Sequence, residues 1–196
     1  KLWMLQARVG KRSPAAAPRI AVDLVREGKV DRAEAIRRIN PDLLSGAIRI
    51  ERATNTGERI AQGLGASPGV ATGHVVFDPD RAIDLSASED VILVRRETSP
   101  EDVHGMGVAK GIVTTLGGMM SHAAVVARAW NIPAVCGLAD AELTDDGLRV
   151  GQGVIREGDI LSIDGDTGAV YRGPIDAAVA VDPNLEILRG WATGAS

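Results

Sequence analysis

Beyond Gly63 the sequence is a succession of short β-type runs, each bounded by Gly, Asp or Pro, with helical patterns between some of them. The predicted strands are residues 70–77, 90–94, 111–114, 134–136, 149–150, 159–163 and 169–171. The predicted helices are residues 80–85, 99–109 and 121–130. Because short strands that alternate with helices pack in layers around one core, this part of the chain is predicted to form a compact α/β unit.

The segment before Gly63 has a different pattern. Its predicted elements are a strand over residues 2–8 and helices over residues 15–26 and 32–39. Asp31 and Glu34 have the spacing of a capping box at the start of the second helix. Residues 46–60 are polar and weakly periodic, so they are predicted to form a tether into the α/β unit.

Composition excludes several classes of protein. The formal net charge of the 196 residues is −4, with both signs interspersed, which gives no electrostatic reason to expect binding to nucleic acid or to an anionic membrane. Cys136 is the one cysteine, so no intrachain disulfide can form, and a cytoplasmic setting is the simplest expectation. The sequence shows neither an apolar run of membrane-spanning length nor a signal-peptide pattern. Since it begins with Lys1, we expect an excised piece of a longer protein.

No metal site is predicted from the spacing of possible ligands. The three histidines are scattered, and Cys136 has no partner at ligand spacing. Asp164-Gly165-Asp166 resembles a fragment of a calcium loop but lacks the remaining ligands. The Gly-Asp-Thr-Gly sequence at 165–168 instead predicts a hairpin turn.

The main candidate for chemistry is His122. Gly117 and Gly118 lead into a short polar turn, and after His122 comes a run of small apolar residues with a helical pattern. This order places an imidazole in the first turn of a helix, where unpaired N–H groups and the positive end of the helix dipole favour a phosphate group. A histidine there can accept a phosphoryl group. A helix cap or a core histidine is the more common meaning of the same spacing taken alone.

Three neighbouring side chains have two interpretations each. Ser121 caps the helix or hydrogen-bonds the phosphoryl group, and Thr114 holds the ring or is a β-branched strand residue. Arg128 contacts phosphate or forms a salt bridge in solvent or with another domain. His74 and His104 lie on a predicted strand and a predicted helix, and both are interpreted as structural.

Four segments of the chain resemble the PEP-utilizing enzymes, and within them the pyruvate phosphate dikinases. The segments are Val113–Arg128 followed by Ile132–Gly137, Arg96–Met106, Gly65–Gly73 and Lys1–Arg12. The first resembles the phosphohistidine signature of the family, and the last resembles the final strand of its ATP-binding domain. The resemblance extends to about Ile175 and implies three parts. These are the end of an ATP-grasp domain with a helical linker over residues 1–60, a swivelling β/β/α phosphohistidine domain over 61–175, and a C-terminal tail or linker over 176–196.

The resemblance also implies a function. His122 would accept the β-phosphoryl group of ATP and pass it reversibly to pyruvate, which forms phosphoenolpyruvate (PEP), while phosphate accepts the γ-phosphoryl group. Mg²⁺ would bind with the nucleotide on another domain. The implied partners are the ATP-grasp domain and the pyruvate-binding domain of a cytoplasmic, homodimeric parent enzyme, and the isolated chain is expected to lack turnover. Gln6 and Arg8 match positions that contact nucleotide in the family.

The chain departs from the family at Met120, because the family usually has a Thr at this position. In plant members, phosphorylation of that Thr switches the enzyme. Methionine has no hydroxyl group, so that switch cannot operate here. Related enzymes with the same module are alternatives with a different acceptor. In PEP synthase water takes the γ-phosphoryl group, and enzyme I of the phosphotransferase system and the rifampin phosphotransferases carry the module too. A phosphocarrier or regulatory module without turnover is a further alternative.

Overall fold

The computed structural model describes residues 16–45, 51–53, 57–179 and 182–194. The chain divides into two compact units, residues 1–50 with 181–196 and residues 51–180. The predicted strand over residues 2–8 lies outside the described residues. None of the described helices is both long enough and apolar enough to cross a membrane.

The first unit contains four helices in its described part. They are α1 (Ala16–Arg26), α2 (Arg32–Arg37), α3 (Pro41–Ser45) and α7 (Pro183–Ala192). The Asp31 carboxylate accepts a hydrogen bond from the Glu34 amide at 2.7 Å, which confirms Asp31 as the N-cap of α2. The Glu34 carboxylate accepts from Arg37 and Arg38, so only half of the predicted capping box is formed. On α7, Leu188 is fully buried and Arg189 donates through Nε to the Leu44 carbonyl at 2.8 Å. This bond ties the end of α3 to α7.

The second unit is built on strands. The strands are β1 (Glu51–Ala53), β2 (Glu58–Gln62), β3 (Leu64–Ser67), β4 (Val70–Val76), β5 (Val91–Arg95), β6 (Gly111–Thr114), β7 (Ala134–Cys136), β8 (Ala141–Thr144), β9 (Gly147–Val150), β10 (Gly153–Ile155), β11 (Ile160–Asp164), β12 (Ala169–Arg172) and β13 (Ala177–Val179). Its helices are α4 (Pro79–Ser86), α5 (Val103–Val108) and α6 (His122–Trp130), and a 3-10 turn over Pro100–Asp102 precedes α5.

Eight of these strands form one mixed sheet in the order β2-β12-β11-β4-β5-β6-β7-β3. The four central strands β4, β5, β6 and β7 are parallel, and the outer pairs are antiparallel. The strands β10-β9-β8 form a second, antiparallel sheet, and β1 pairs with β13. The helices follow the parallel strands because parallel neighbours need a crossover connection.

The large sheet is covered on both faces. Ile92 and Val94 of β5 join an apolar cluster with the small sheet, whereas Val91 and Leu93 join a second cluster with the helices. All four side chains are fully buried, as expected for a central parallel strand. The layers are therefore sheet, sheet and helix, which confirms the predicted β/β/α architecture.

Several predicted boundaries need correction. The tether predicted over residues 46–60 is wrong at 51–53 and 58–60, which belong to β1 and β2. Most of β2 is exposed, so its sequence carries little apolar signal. The helix predicted over 99–109 is a 3-10 turn followed by α5. The segment predicted as a C-terminal tail or linker contains α7, whose N-cap is Asp182.

Candidate functional site

The candidate site lies at the carboxyl edge of two neighbouring parallel strands, β5 and β6. The loops that follow them are hydrogen-bonded to each other. The Thr115 amide donates to the Arg95 carbonyl at 3.1 Å, and the Leu116 amide donates to the Arg96 carbonyl at 2.7 Å. The carboxyl edge of parallel strands is the usual place for ligand sites in α/β folds.

His122 is the first residue of α6 and so lies in the first turn of the helix, as the sequence predicts. The Ser121 hydroxyl accepts a hydrogen bond from the Ala124 amide at 3.3 Å, so Ser121 is the N-cap of the helix. The Nε2 atom of His122 is buried and has no hydrogen-bond partner among the described residues. A buried polar atom without a partner is uncommon, and such atoms concentrate where chemistry or a ligand will use them.

The loop before His122 depends on two glycines. Gly117 has φ +100°, and a Cβ there would lie 2.9 Å from the Cβ of Ser121. Gly137 has φ +68°, and a Cβ there would lie 2.5 Å from the Gly117 carbonyl oxygen. The sequence analysis did not single out Gly137. Its positive φ is a backbone conformation that glycine adopts more readily than other residues. Gly118 has open space around it, so sterics do not require a glycine there.

Thr114 and Arg128 hold the loop by its backbone. The buried Thr114 hydroxyl donates to the Leu116 carbonyl at 2.7 Å. The Arg128 guanidinium donates to the Ala66 carbonyl at 2.8 Å and to the Met119 carbonyl at 2.6 Å. These bonds connect the loop to β6, to β3 and to the body of α6. Arg128 therefore stabilises the loop through hydrogen bonds to backbone carbonyls, a role that neither interpretation of the sequence predicted.

The loop after β5 also carries an exposed carboxylate, Glu101. Hydrogen bonds from the Ser99 hydroxyl and from its own backbone amide lower the pKa of the Glu101 carboxyl, and the charge of His122 adds a smaller effect in the same direction.

The neighbouring carboxylate, Asp102, has a structural role. It is buried, forms an ion pair with Arg95 (Nη2 to Oδ1, 3.1 Å) and accepts the Ser99 amide at 2.8 Å. Arg95 also donates to the Phe77 carbonyl at 3.0 Å. Asp102 therefore fixes the start of the segment that carries Glu101.

We expect the substitution Asp102→Ala to lower the free energy of unfolding by about 2 kcal/mol, because the Ser99 amide and the partly exposed Arg95 each lose a partner. Chemical denaturation measures this loss. The control is Glu157→Ala, which removes the exposed partner of Arg81 and should cost less than about 0.5 kcal/mol. Equal losses in the two variants would contradict the structural role of Asp102.

The remaining histidines are engaged elsewhere. His104 Nε2 lies 2.8 Å from Asp80 Oδ1, and His74 Nδ1 lies 2.9 Å from the Gly158 carbonyl. Gln6 and Arg8 lie outside the described residues. In the part of the chain that the structure describes, no group of three or more His, Cys, Asp or Glu could hold a metal ion.

Comparison with known proteins identifies the module around His122. Residues 87–168 match the family model of the PEP-utilising enzyme mobile domain. The chain is 46% identical to the chloroplastic pyruvate, phosphate dikinase of Flaveria pringlei over 98% of its length. It is 44% and 46% identical to the pyruvate, phosphate dikinases of Entamoeba histolytica and Rhizobium meliloti, each over 89% of its length.

The chain spans about a fifth of the length of these relatives, namely 21%, 20% and 20%. The family model covers β5 to β11, and therefore both loops of the candidate site and the whole of α6. The segment over residues 87–168, which carries His122, therefore belongs to the mobile-domain family of the PEP-utilising enzymes.

Proposed function

We propose that this chain is the phosphohistidine carrier of a pyruvate, phosphate dikinase-like enzyme, with His122 as the residue that is phosphorylated. The observation that carries the proposal is the position of this imidazole. It lies at the N-terminus of a nine-residue helix, beside a glycine loop, inside the segment that matches the mobile-domain family. The unpaired amides and the positive helix end there favour the charge of a phosphoryl group.

The chemistry is an in-line displacement at phosphorus. The lone pair of Nε2 forms the N–P bond, and the bridging P–O bond breaks with its electron pair leaving on oxygen. Since Nε2 is buried, the ring has to change its rotamer to present this atom to a donor on another domain. Ser121, Thr114, Gly117 and Arg128 support the reaction by holding the loop and the helix start.

The donors and acceptors would lie on other domains of the parent enzyme. ATP with Mg²⁺ would bind to an ATP-grasp domain, and pyruvate or PEP to a separate domain, with a cytoplasmic setting and a homodimeric parent. The rim of the site supports such docking, because Met120 is 86% exposed and Leu116 and Met119 are also exposed. Exposed apolar side chains around a reactive residue are typical of a surface that binds partners.

A pulse-chase experiment on the intact gene product tests the reaction. With ATP labelled at the β-phosphorus, and with Mg²⁺ and phosphate present, we expect an acid-labile label on the protein that moves into PEP when pyruvate is added. With ATP labelled at the γ-phosphorus, the label should appear in pyrophosphate. If the γ-label appears in free phosphate, water is the acceptor of the γ-phosphoryl group. If pyruvate cannot remove the β-label from the protein, the final acceptor is a different molecule. Either result would overturn the proposed dikinase reaction.

A further inference from the structure

The end of β7 lies against the loop that leads to His122. The strands β6 and β7 are parallel neighbours, with Val113 opposite Val135, so their carboxyl ends lie at the same edge of the sheet. The chain after β6 forms the loop, and β7 ends in Cys136, which Gly137 and Leu138 follow. These three consecutive residues, named the brace below, each make a contact with the loop or with one of its two ends.

The Leu138 contact fixes the place where the loop begins. The Leu138 amide donates to the carbonyl of Thr114, the last residue of β6, at 3.2 Å. The Leu138 side chain is fully buried in the apolar cluster that the large sheet shares with the small sheet. The start of the loop is therefore tied to the core.

The Gly137 contact lies further along the loop, at Gly117. A Cβ on Gly137 would lie 2.5 Å from the Gly117 carbonyl oxygen, so a side chain there requires the Gly117 backbone to move. Gly117 is itself packed against the helix start, because a Cβ on it would lie 2.9 Å from the Ser121 Cβ. Displacement of Gly117 would therefore disturb its contact with the N-cap residue of α6.

The Cys136 contact lies at the helix start. The Ser121 hydroxyl donates to the Cys136 Sγ atom at 3.9 Å and accepts from the Ala124 amide at 3.3 Å. The Cys136 side chain is fully buried, so its sulfur has a fixed place, and a thiol sulfur is a weak acceptor. The two bonds together hold the capping hydroxyl in one orientation.

We propose that Gly137 and Cys136 are positioning residues for phosphoryl transfer, which hold the loop and the start of α6 so that His122 meets its donor in one place. This inference rests on the proposed function. The contacts of the two residues are with Gly117 and Ser121, so they act on the place of the imidazole and leave its charge unchanged. Placement matters for the rate, because a misplacement of about 1 Å can cost about a hundredfold.

The brace and Arg128 hold different parts of the same loop. Arg128 donates to the carbonyls of Met119 and of Ala66 on β3. The brace holds the loop at its start, at Gly117 and at the helix cap, and it does so from β7. Because β3 and β7 are themselves paired, the supports of the loop belong to one piece of sheet.

The test measures the rate at which phosphoramidate phosphorylates His122 in the 196-residue chain. In this reaction the Nε2 lone pair forms the N–P bond, while the P–N bond of phosphoramidate breaks and ammonia leaves with its electron pair. The rate is measured against pH for the wild type, Gly137→Ala and Cys136→Ala, and it is expressed per folded chain with the folded fraction taken from circular dichroism.

Each variant has a matched control outside the brace. For Gly137→Ala the control is Gly151→Ala, because Gly151 also has a positive φ, +56° against +68°, but a Cβ there would have no atom within 4 Å. For Cys136→Ala the control is Ile155→Val, which also shortens a fully buried side chain. The controls separate the loss of the loop contacts from backbone strain and from a small cavity.

For Gly137→Ala we expect the rate at alkaline pH to fall about tenfold, because the new Cβ displaces Gly117. Cys136→Ala should lower the rate about threefold, in keeping with the loss of one neutral hydrogen bond. Gly151→Ala and Ile155→Val should match the wild type. The acid limb of each profile reports protonation of the ring, and its midpoint should stay at the wild-type pH.

A Gly137→Ala rate equal to that of Gly151→Ala would overturn the inference. A midpoint that moves while the alkaline rate stays constant would also overturn it, because the effect would then be on the charge of the ring. If Gly137→Ala does not fold, Cys136→Ala decides the question, and a wild-type rate in that variant would overturn the inference.

A second measurement does not depend on phosphoryl transfer. In proton NMR spectra, the ring signals of His122 should shift in Gly137→Ala and in Cys136→Ala, whereas those of His74 and His104 should not. Unchanged His122 signals in both variants would overturn the inference. Shifted His122 signals in a chain that phosphoramidate or ATP never phosphorylates would support the brace and count against the proposed function instead.

Discussion

Replacement of His122 with alanine is expected to lower phosphoryl uptake by about a thousandfold or more, because loss of a nucleophile removes the covalent step altogether. The other two histidines cannot substitute for it. His104 contacts Asp80, and His74 contacts the Gly158 carbonyl and Glu89. The measurement is the acid-labile label per chain, with the modified residue identified by mass spectrometry under alkaline conditions.

The matched controls for this prediction are His104→Ala and His74→Ala, which should retain the full stoichiometry of label. His122→Asn, which keeps a polar side chain at the helix start, should fold like the wild type and also fail to be labelled. Label that persists in His122→Ala would show that another residue is the acceptor.

Replacement of Gly165 with alanine is expected to have the largest effect on stability, a loss of more than about 4 kcal/mol in the free energy of unfolding. A Cβ on Gly165 would lie 1.9 Å from the Ser67 carbonyl oxygen and 3.1 Å from the Ala134 amide nitrogen. Both are backbone atoms, so the turn between β11 and β12 could not remain against β3 and β7. Because domains of this size are stable by about 5–15 kcal/mol, much of the chain would unfold.

Chemical denaturation followed by circular dichroism measures this effect. The control is Gly118→Ala, since a Cβ on Gly118 would have no atom within 4 Å and should change the unfolding free energy by less than about 0.5 kcal/mol. A Gly165→Ala variant with wild-type stability would show that this close approach of the backbone is not required for folding.

The sequence predicted the central elements of the fold because their signals are local. The apolar run of β5 and the serine before α6 are readable in a few consecutive residues, and both elements lie where the sequence predicts them. The edge strands β2 and β3 were missed because they are short and partly exposed, so their pairing is decided by neighbours far along the chain.

The sequence also predicted only part of the candidate site. His122 and its cap follow from one short segment of sequence. The contacts of Gly137 and Arg128 depend on which loops the sheet brings together, and no local pattern carries that information. Within the loop, Gly117 was foreseen because a glycine before a helix indicates a special backbone angle, which its φ of +100° bears out.

The pairing of β1 with β13 determines where the chain enters and leaves the second unit. Its three residue pairs, Glu51 with Val179, Arg52 with Ala178 and Ala53 with Ala177, join the first and last strands of the second unit in antiparallel register. The chain therefore enters and leaves this unit at one place. Neither strand of this pair carries a residue of the candidate site, whose side chains lie on β6, on α6 and in the loop between them. Closing the two ends of the unit and building the site are therefore tasks of different residues, so a substitution in β1 or β13 should leave the bonds that hold the His122 loop intact.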